Sequence, residues 1–232
     1  FRIMVRYILI LVFVCLIYKS HAQQDAQYTQ FMFNKMYFNP AYAGSKKNLC
    51  LSGIYRKQWI GIERAPQTGT FNVHGSVFKS RIGLGLSVTY DQIGFTDKVD
   101  IETNYSYIIR FKDESFLSLG LRGSFSYMQI RWDQANPTQA FDNSIPGAVT
   151  SKLLPNFGAG VFYQSKYWYA GFSVPHLFQN DLNFSVNPNV SVEPKLQQHY
   201  FLTGGLSFDI AKNVQIQPNV MFKYVVNAPF DM

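Results

Sequence analysis

The sequence predicts an all-β fold, an up-and-down antiparallel transmembrane β-barrel that is partly present as about nine strands and follows a short N-terminal helix. Residues 81–91 give the clearest evidence, because apolar and polar side chains alternate there with a period of two. Strands of globular proteins usually run about 5 to 6 residues, whereas a tilted membrane strand needs roughly 9 to 11. The length of the alternation therefore favours a membrane barrel over a soluble sandwich.

Eight other segments repeat the alternation, although the sixth and seventh segments are short and their faces are weakly defined. In the ninth segment Pro218 removes one ladder hydrogen bond, which predicts a bulge. The nine predicted strands are residues 49–59, 70–77, 81–91, 99–111, 116–127, 156–164, 167–174, 200–209 and 214–224.

The links between these strands alternate between short and long. Outer-membrane barrels show this alternation, with short turns on the periplasmic side and long loops outside. We expect the two longest links to be recognition surfaces rather than lumen constrictions. The short links are residues 78–80, 112–115, 165–166 and 210–213, and the long links are residues 60–69, 92–98, 128–155 and 175–199.

Residues 1–22 have the three parts of a secretory signal peptide: a basic start, an apolar run and a small-residue exit ending at Ala22. The apolar run is shorter than the roughly 20 residues that span a bilayer as a helix. After cleavage the mature chain would start in the periplasm, and the first strand would run outward. We divide the remainder into an N-terminal periplasmic or plug segment with a short helix at residues 23–48, and an incomplete outer-membrane barrel at residues 49–232.

Both ends of the sequence suggest a fragment. Residues 1–3 precede the first methionine, Met4, and the chain stops at Met232 after a predicted strand and turn. A barrel needs a closing strand, since an open edge leaves backbone groups unpaired. We therefore expect the protein to be C-terminally truncated here.

Residues 31–38 show neither alternation nor β-branched side chains, which favours a short helix. Asn39 and Pro40 then end it, because the residue before a proline is displaced from helical geometry. This segment either plugs the lumen or remains a mobile periplasmic tail, and the sequence leaves both possibilities open.

Charge and cysteine content exclude several classes of function. The formal charge of +7 falls to +4 when Arg2, Arg6 and Lys19 of the leader are removed, so we expect no nucleic-acid partner. With Cys15 in the leader, Cys50 is the single cysteine of the mature chain, and no internal disulfide is possible.

Several charged side chains share the wet face of neighbouring predicted strands. They form either a catalytic site or a lumen of ion pairs, and we favour ion pairs because no nucleophile, His and acid have a recognisable spacing. We therefore predict no enzyme, no cofactor and no metal site, and we attribute Gly83 and Gly85 to strand geometry rather than phosphate binding. The charged residues are His74, Arg81, Asp91, Asp100, Glu102, Arg110 and Arg122.

Two motifs carry a resemblance to a known family: QFMFNKMYFNPAYAG at residues 30–44 and GIYRKQW at residues 53–59. With them the chain resembles the PorP/SprF family of Bacteroidetes outer-membrane proteins, which is tied to type IX secretion and gliding motility. Members of this family are usually longer. The family-motif residues, to which the resemblance assigns no role, are Asn39, Pro40, Ala41, Tyr42, Ala43, Gly44, Arg56 and Trp59.

The resemblance implies a non-enzymatic barrel of the bacterial outer membrane that assists export or surface anchoring of a secreted adhesin. The implied partners are outer-membrane lipid, the periplasmic ring components of the type IX system and the cell-surface adhesin itself. The alternative is a passive porin or small-solute uptake channel. A barrel enzyme that uses His74 is the third and weakest interpretation.

Overall fold

The computed structural model describes residues 30–134, 149–182, 195–211 and 214–225. The predicted leader and the central parts of the two longest predicted outer loops lie outside these ranges. Nine strands form one antiparallel sheet that curls strongly into a half-barrel. This confirms the predicted fold class, including the short helix near the N-terminus, which spans Lys35–Phe38.

From the first to the eighth strand, strands that follow one another in the chain are also neighbours in the sheet, which gives the predicted up-and-down order. The sheet runs β1 to β8 and then β11, while β9 and β10 pair separately as a two-stranded extension. The strands are β1 Cys50–Lys57, β2 Gln67–Val77, β3 Ile82–Ile93, β4 Thr96–Arg110, β5 Phe116–Arg131, β6 Val149–Gln164, β7 Trp168–Val174, β8 His199–Leu206, β9 Phe208–Ala211, β10 Val214–Ile216 and β11 Asn219–Val225.

The helical elements are short. The α-helix Lys35–Phe38 lies between 3₁₀ turns at Phe31–Phe33 and Pro40–Tyr42, and a further 3₁₀ turn covers Trp132–Gln134. Within the described ranges, no helix has both the length and the apolar character needed to cross a bilayer.

The pairing register shows which face of the sheet is apolar. Leu84 pairs with Tyr105, and Tyr105 pairs with Leu121, so that an apolar row crosses three strands on the convex face. These side chains are 49%, 44% and 62% exposed. The adjacent row on the concave face contains Asn104 and Arg122, which are buried. The sheet is therefore apolar outside and polar inside, as the alternation predicted.

This arrangement has a direct energetic consequence. Leu119, at 47% exposure, is one of many large apolar side chains on the convex face, and the described chain places no second layer over them. Exposing apolar surface to water costs about 25 cal/mol per Å², and soluble monomers rarely leave a continuous patch of this kind. The convex face therefore fits an apolar medium.

One predicted loop is wrong. Residues 92–98 were expected to form a long outer loop, but β3 and β4 meet at a tight turn in which Gly94 has φ 59°. Glycine at the first central position is what a two-residue type II′ hairpin requires. The polar residues beside the turn continue the ladder, and the Tyr90 hydroxyl donates to Asp97 across it at 2.9 Å.

Two other boundaries also differ from prediction. β6 begins at Val149, ahead of the expected residue 156, and contains Pro155. β7 pairs with β6 only from Ala159 onward, so Pro155 lies where β6 is an edge, a position that tolerates proline. At Pro218 the expected ninth strand divides into β10 and β11, while the register shift itself lies between Val214 and Gln215.

We predict that Leu121→Arg destabilises the protein in lipid vesicles by about 2–4 kcal/mol, the cost of a basic side chain near the bilayer midplane on a lipid-facing strand position. The matched control is Gln129→Arg on the same face of β5, closer to the strand end, where the cost falls to about 0–1 kcal/mol. Guanidinium titration of the folded protein measures both. Equal costs at the two positions would contradict a lipid-facing convex face.

Candidate functional site

The concave face of the half-barrel is lined by buried polar side chains. Asn72, Ser87, Glu102, Asn104, Ser106, Ser118, Arg122, Ser124 and Asn156 all lie on it with 3% exposure or less. A buried polar group needs a hydrogen-bond partner, because leaving it without one costs about 1–3 kcal/mol. The partners of this face come partly from the sheet and partly from the N-terminal segment, which we define as residues 30–48.

The N-terminal segment lies against the concave face and crosses it from β2 to β8. Met36 and Phe38 are buried, and Ala41 and Ala43 have no exposed surface. Phe38 packs against Phe201 of β8 with ring centroids 5.2 Å apart. The segment is therefore enclosed by the sheet over its central part.

Inner-face glycines let the backbone of the segment approach the strands. A Cβ atom at Gly83 would overlap the carbonyl oxygen of Ala43, and a Cβ at Gly120 would overlap the backbone nitrogen of Ala41. Gly83, which the sequence pattern assigned to strand geometry, and Gly120 therefore leave the space in which the backbone of the segment lies.

Arg122 is the main polar anchor of the segment. Its Nη2 donates to the carbonyl of Met36 at 2.5 Å, and its Nη1 donates to the carbonyl of Tyr37 at 2.9 Å. The same guanidinium pairs with Glu102 at 3.1 Å and donates to Asn104 Oδ1 at 2.9 Å. One buried cation thus joins β4, β5 and the carbonyl end of the short α-helix, where positive charge is favoured.

Hydroxyl and imidazole groups of the sheet hold the remainder of the segment. The Ser106 hydroxyl donates to the carbonyl of Ala43 at 2.7 Å, and the Ser173 hydroxyl donates to the carbonyl of Phe38 at 2.8 Å. The backbone N–H of Gly44 donates to His74 Nδ1 at 3.2 Å. His74 therefore serves as a hydrogen-bond acceptor for the segment.

Asn39 links the segment to itself and to the sheet. Its Oδ1 accepts from the backbone N–H of Ala41 at 2.9 Å, which caps the turn Pro40–Tyr42, and its Nδ2 donates to the carbonyl of Val161 at 2.9 Å. Asparagine supplies both an acceptor and a donor at one position. These two contacts, one accepted and one donated, explain why an asparagine precedes Pro40.

The other motif residues between Asn39 and Gly44 also contact the concave face. Ala41 fits among Ile108, Phe116 and Phe162, and Tyr42 packs edge-on against Phe162 at 5.3 Å. Gly44 has φ 66°, in the left-handed region that favours glycine. The motif residues from Asn39 to Gly44 are therefore brought together on the concave face.

Arg56 and Trp59 do not join this group. Arg56 lies near the end of β1, and Trp59 lies in the link between β1 and β2, where it is 66% exposed. The sequence resemblance connected these two residues with the motif, but the fold separates them from it.

Lys35, the first residue of the short α-helix, contacts an aromatic ring of β7. Its Nζ lies 3.6 Å from the ring centroid of Tyr169, close enough for a cation–π contact. Burial, and secondarily the charge of Lys46, lower the pKa of Lys35 to about 8. Its ammonium thus remains mostly protonated at neutral pH.

The described residues contain no group of three or more His, Cys, Asp or Glu side chains that could hold a metal ion. Of the charged residues predicted on the wet face, Arg122 pairs with Glu102, and Asp100 pairs at 3.2 Å with Lys98, which was not in the predicted set. Sequence reasoning did not identify the inner-face glycines as contact sites. Their spacing on the polar side of the strands was the available signal.

Comparison with protein families covers the motif and the sheet described above. A family model described as "Type IX secretion system membrane protein PorP/SprF" matches residues 20–232, almost the entire chain. The chain belongs to this family. This PorP/SprF protein is therefore a membrane protein of the type IX secretion system, and no catalytic role is indicated for the family. No curated protein and no solved structure matches the chain.

We predict that Gly120→Ala displaces the N-terminal segment, because the added methyl group overlaps the backbone at Ala41. Trypsin is then expected to cleave the folded protein after Lys35, which the wild-type packing protects. The matched control is Gly123→Ala on the opposite face of β5, where a Cβ meets only Thr103 Oγ1 at 3.4 Å. Equal protection of the two variants from trypsin would show that the position of the segment does not depend on the glycine at position 120.

We predict that Arg122→Met lowers the free energy of unfolding by about 3–5 kcal/mol, since it leaves Glu102 buried without its cation. Adding Glu102→Met should recover part of this loss, and a double-mutant cycle in lipid vesicles measures the coupling. The control is Arg110→Met, which loses one hydrogen bond to the Ser80 carbonyl at 3.2 Å and should cost about 1 kcal/mol. Strict additivity of the Arg122 and Glu102 changes would refute the coupling.

Proposed function

We propose that this protein acts in the outer membrane, where it assists export or surface anchoring of a secreted adhesin and contacts the periplasmic ring components of the type IX system. Membership of the family supports a place in the secretion machinery. The apolar convex face supports immersion in lipid, and the predicted leader supports delivery to the periplasm.

The direction of the strands supports a specific orientation. We define the turn end of the sheet as the end that carries the links at residues 78–81, 111–115 and 165–167. If the mature chain enters from the periplasm, β1 runs outward and the turn end faces the periplasm. The turn end is then the part of the protein that meets the periplasmic machinery.

The occupied concave face is the observation that favours a secretion component over a passive porin. A passive porin needs an unobstructed polar path, whereas the N-terminal segment fills the concave side of the described sheet through contacts with Arg122, Ser106 and Ser173. A segment held by hydrogen bonds rather than by covalent bonds is able to leave when a partner binds. We therefore favour a gated or partner-bound secretion component over the porin alternative.

Deletion of the gene is expected to abolish export or surface anchoring of at least one adhesin, and re-expression of the wild-type gene should restore it. Surface proteolysis of intact cells, with detection of the adhesin, measures both. The proposal fails if every adhesin is still exported and anchored. Intact export together with a steady conductance of the purified full-length protein would instead support the porin.

A further inference from the structure

A polar cavity opens at the turn end, between the N-terminal segment and the last strands of the sheet. Its volume is about 210 Å³, and Lys35 and Lys166 both line it. The other lining side chains include the hydroxyls of Ser165 and Ser207 and the amides of Gln164 and Gln217. The cavity thus combines two cations with several neutral hydrogen-bonding groups.

No carboxylate belongs to the lining of this cavity in the described part of the chain. Lys35 lies over the Tyr169 ring, and Lys166 lies 5.3 Å from the ring centroid of Tyr167. The nearby carboxylate of Asp209 accepts from Gln215 Nε2 at 3.1 Å. Aromatic faces hold both ammonium groups without neutralising them, so the cavity keeps a net positive charge.

The surroundings of the cavity add to this charge. Exposed basic side chains surround the turn end, and within the described ranges none of them forms an ion pair with a carboxylate. Asp113, Glu114 and Asp209 are the exposed acidic residues there, and they are outnumbered. The basic residues are Lys46, Lys47, Lys79, Arg81, Lys112 and Lys166.

The negative group that enters this cavity could come from a lipid headgroup or from an acidic protein segment, and the position of the cavity favours the protein segment. Lipid headgroups border the convex face, whereas Lys35 belongs to the segment that lies on the concave face. A headgroup at the rim of the bilayer cannot reach the concave side without leaving the lipid. A water-exposed acidic segment of a protein has no such restriction, and its carboxylates form charge-assisted hydrogen bonds with lysine.

We propose that this cavity binds a carboxylate of an acidic segment of a periplasmic partner, with Lys35 and Lys166 as the two cations that receive it. The assignment of the partner to the periplasm rests on the proposed function. Because Lys35 is in the N-terminal segment, occupation of the cavity also places the partner in direct contact with the segment that fills the concave face.

The test is isothermal titration calorimetry of the full-length protein in detergent. A glutamate hexapeptide with blocked ends is titrated at low salt, because salt screens such contacts. We expect a saturable heat of binding. A glutamine hexapeptide of the same length should bind at least about tenfold more weakly, as expected for loss of a charge-assisted contact.

Matched variants distinguish binding in the cavity from attraction to the overall positive charge of the protein. Lys166→Gln lies in an exposed link and should weaken glutamate binding about tenfold without affecting folding. Lys35→Gln should do the same, whereas Lys57→Gln at the opposite end of β1 should leave binding unchanged. Heat-dependent mobility in SDS gels confirms that each variant is folded.

Equal binding of the two peptides, or glutamate binding that is unaffected by Lys166→Gln, would overturn the proposal. This failure is separate from failure of the secretion function. If gene deletion abolishes adhesin export while the peptide does not bind, only the cavity assignment is wrong. If the peptide binds while export is intact in the deletion strain, the secretion function is wrong.

Discussion

The contact between Arg122 and the backbone of the N-terminal segment is the interaction on which the rest of the structure depends. A guanidinium at 2% exposure is stable only when its donors are satisfied, and here two of them are satisfied by the carbonyls of Met36 and Tyr37. The sheet and the segment thus satisfy each other's hydrogen-bonding groups. Without the segment, a buried cation and a row of buried hydroxyls would face an empty concavity.

This dependence explains why the protein is built with its polar side inward. A soluble sandwich would bury Leu84, Tyr105 and Leu121 and expose Asn104 and Arg122, but the register fixes the reverse. The hydrophobic effect then acts between the convex face and the surrounding lipid, and hydrogen bonds provide the internal cohesion. The N-terminal segment is held mainly through such polar contacts.

The strands were predictable because their signal is local. Alternation along residues 99–111 follows from the two faces of one strand, and it predicted β4 to within three residues at its first end and one at its last. The turn at Gly94 was missed because polar residues such as Asp91 and Asp97 resemble a loop when cross-strand partners are unknown. Thr68 Oγ1 in fact donates to Asp91 at 2.5 Å, and Arg131 pairs with Asp97 at 2.6 Å.

The site was only partly predictable. The motif from Asn39 to Gly44 was identified by resemblance, but its position depends on contacts between residues far apart in the chain, such as Ser173 with Phe38. Nothing in the local pattern of residues 31–44 distinguishes a bound segment from a free tail. The glycines of the inner face were the indirect evidence, because close approach of another backbone is one of the reasons for a glycine within a strand, and it applies at Gly83 and Gly120.

Disulfide trapping tests the central claim most directly, namely that the segment occupies the concave face of the protein in its membrane. The Cβ of Ala43 lies 3.4 Å from the position of a Cβ at Gly85, close to the separation in a disulfide, and the nearest atom there, Met36 Sδ at 2.5 Å, belongs to a flexible side chain that can shift. With Cys50→Ser as background, Ala43→Cys together with Gly85→Cys should form an intramolecular disulfide in isolated membranes, whereas Ala43→Cys with Gly123→Cys should not. Free thiols at positions 43 and 85 that react fully with maleimide would contradict the account.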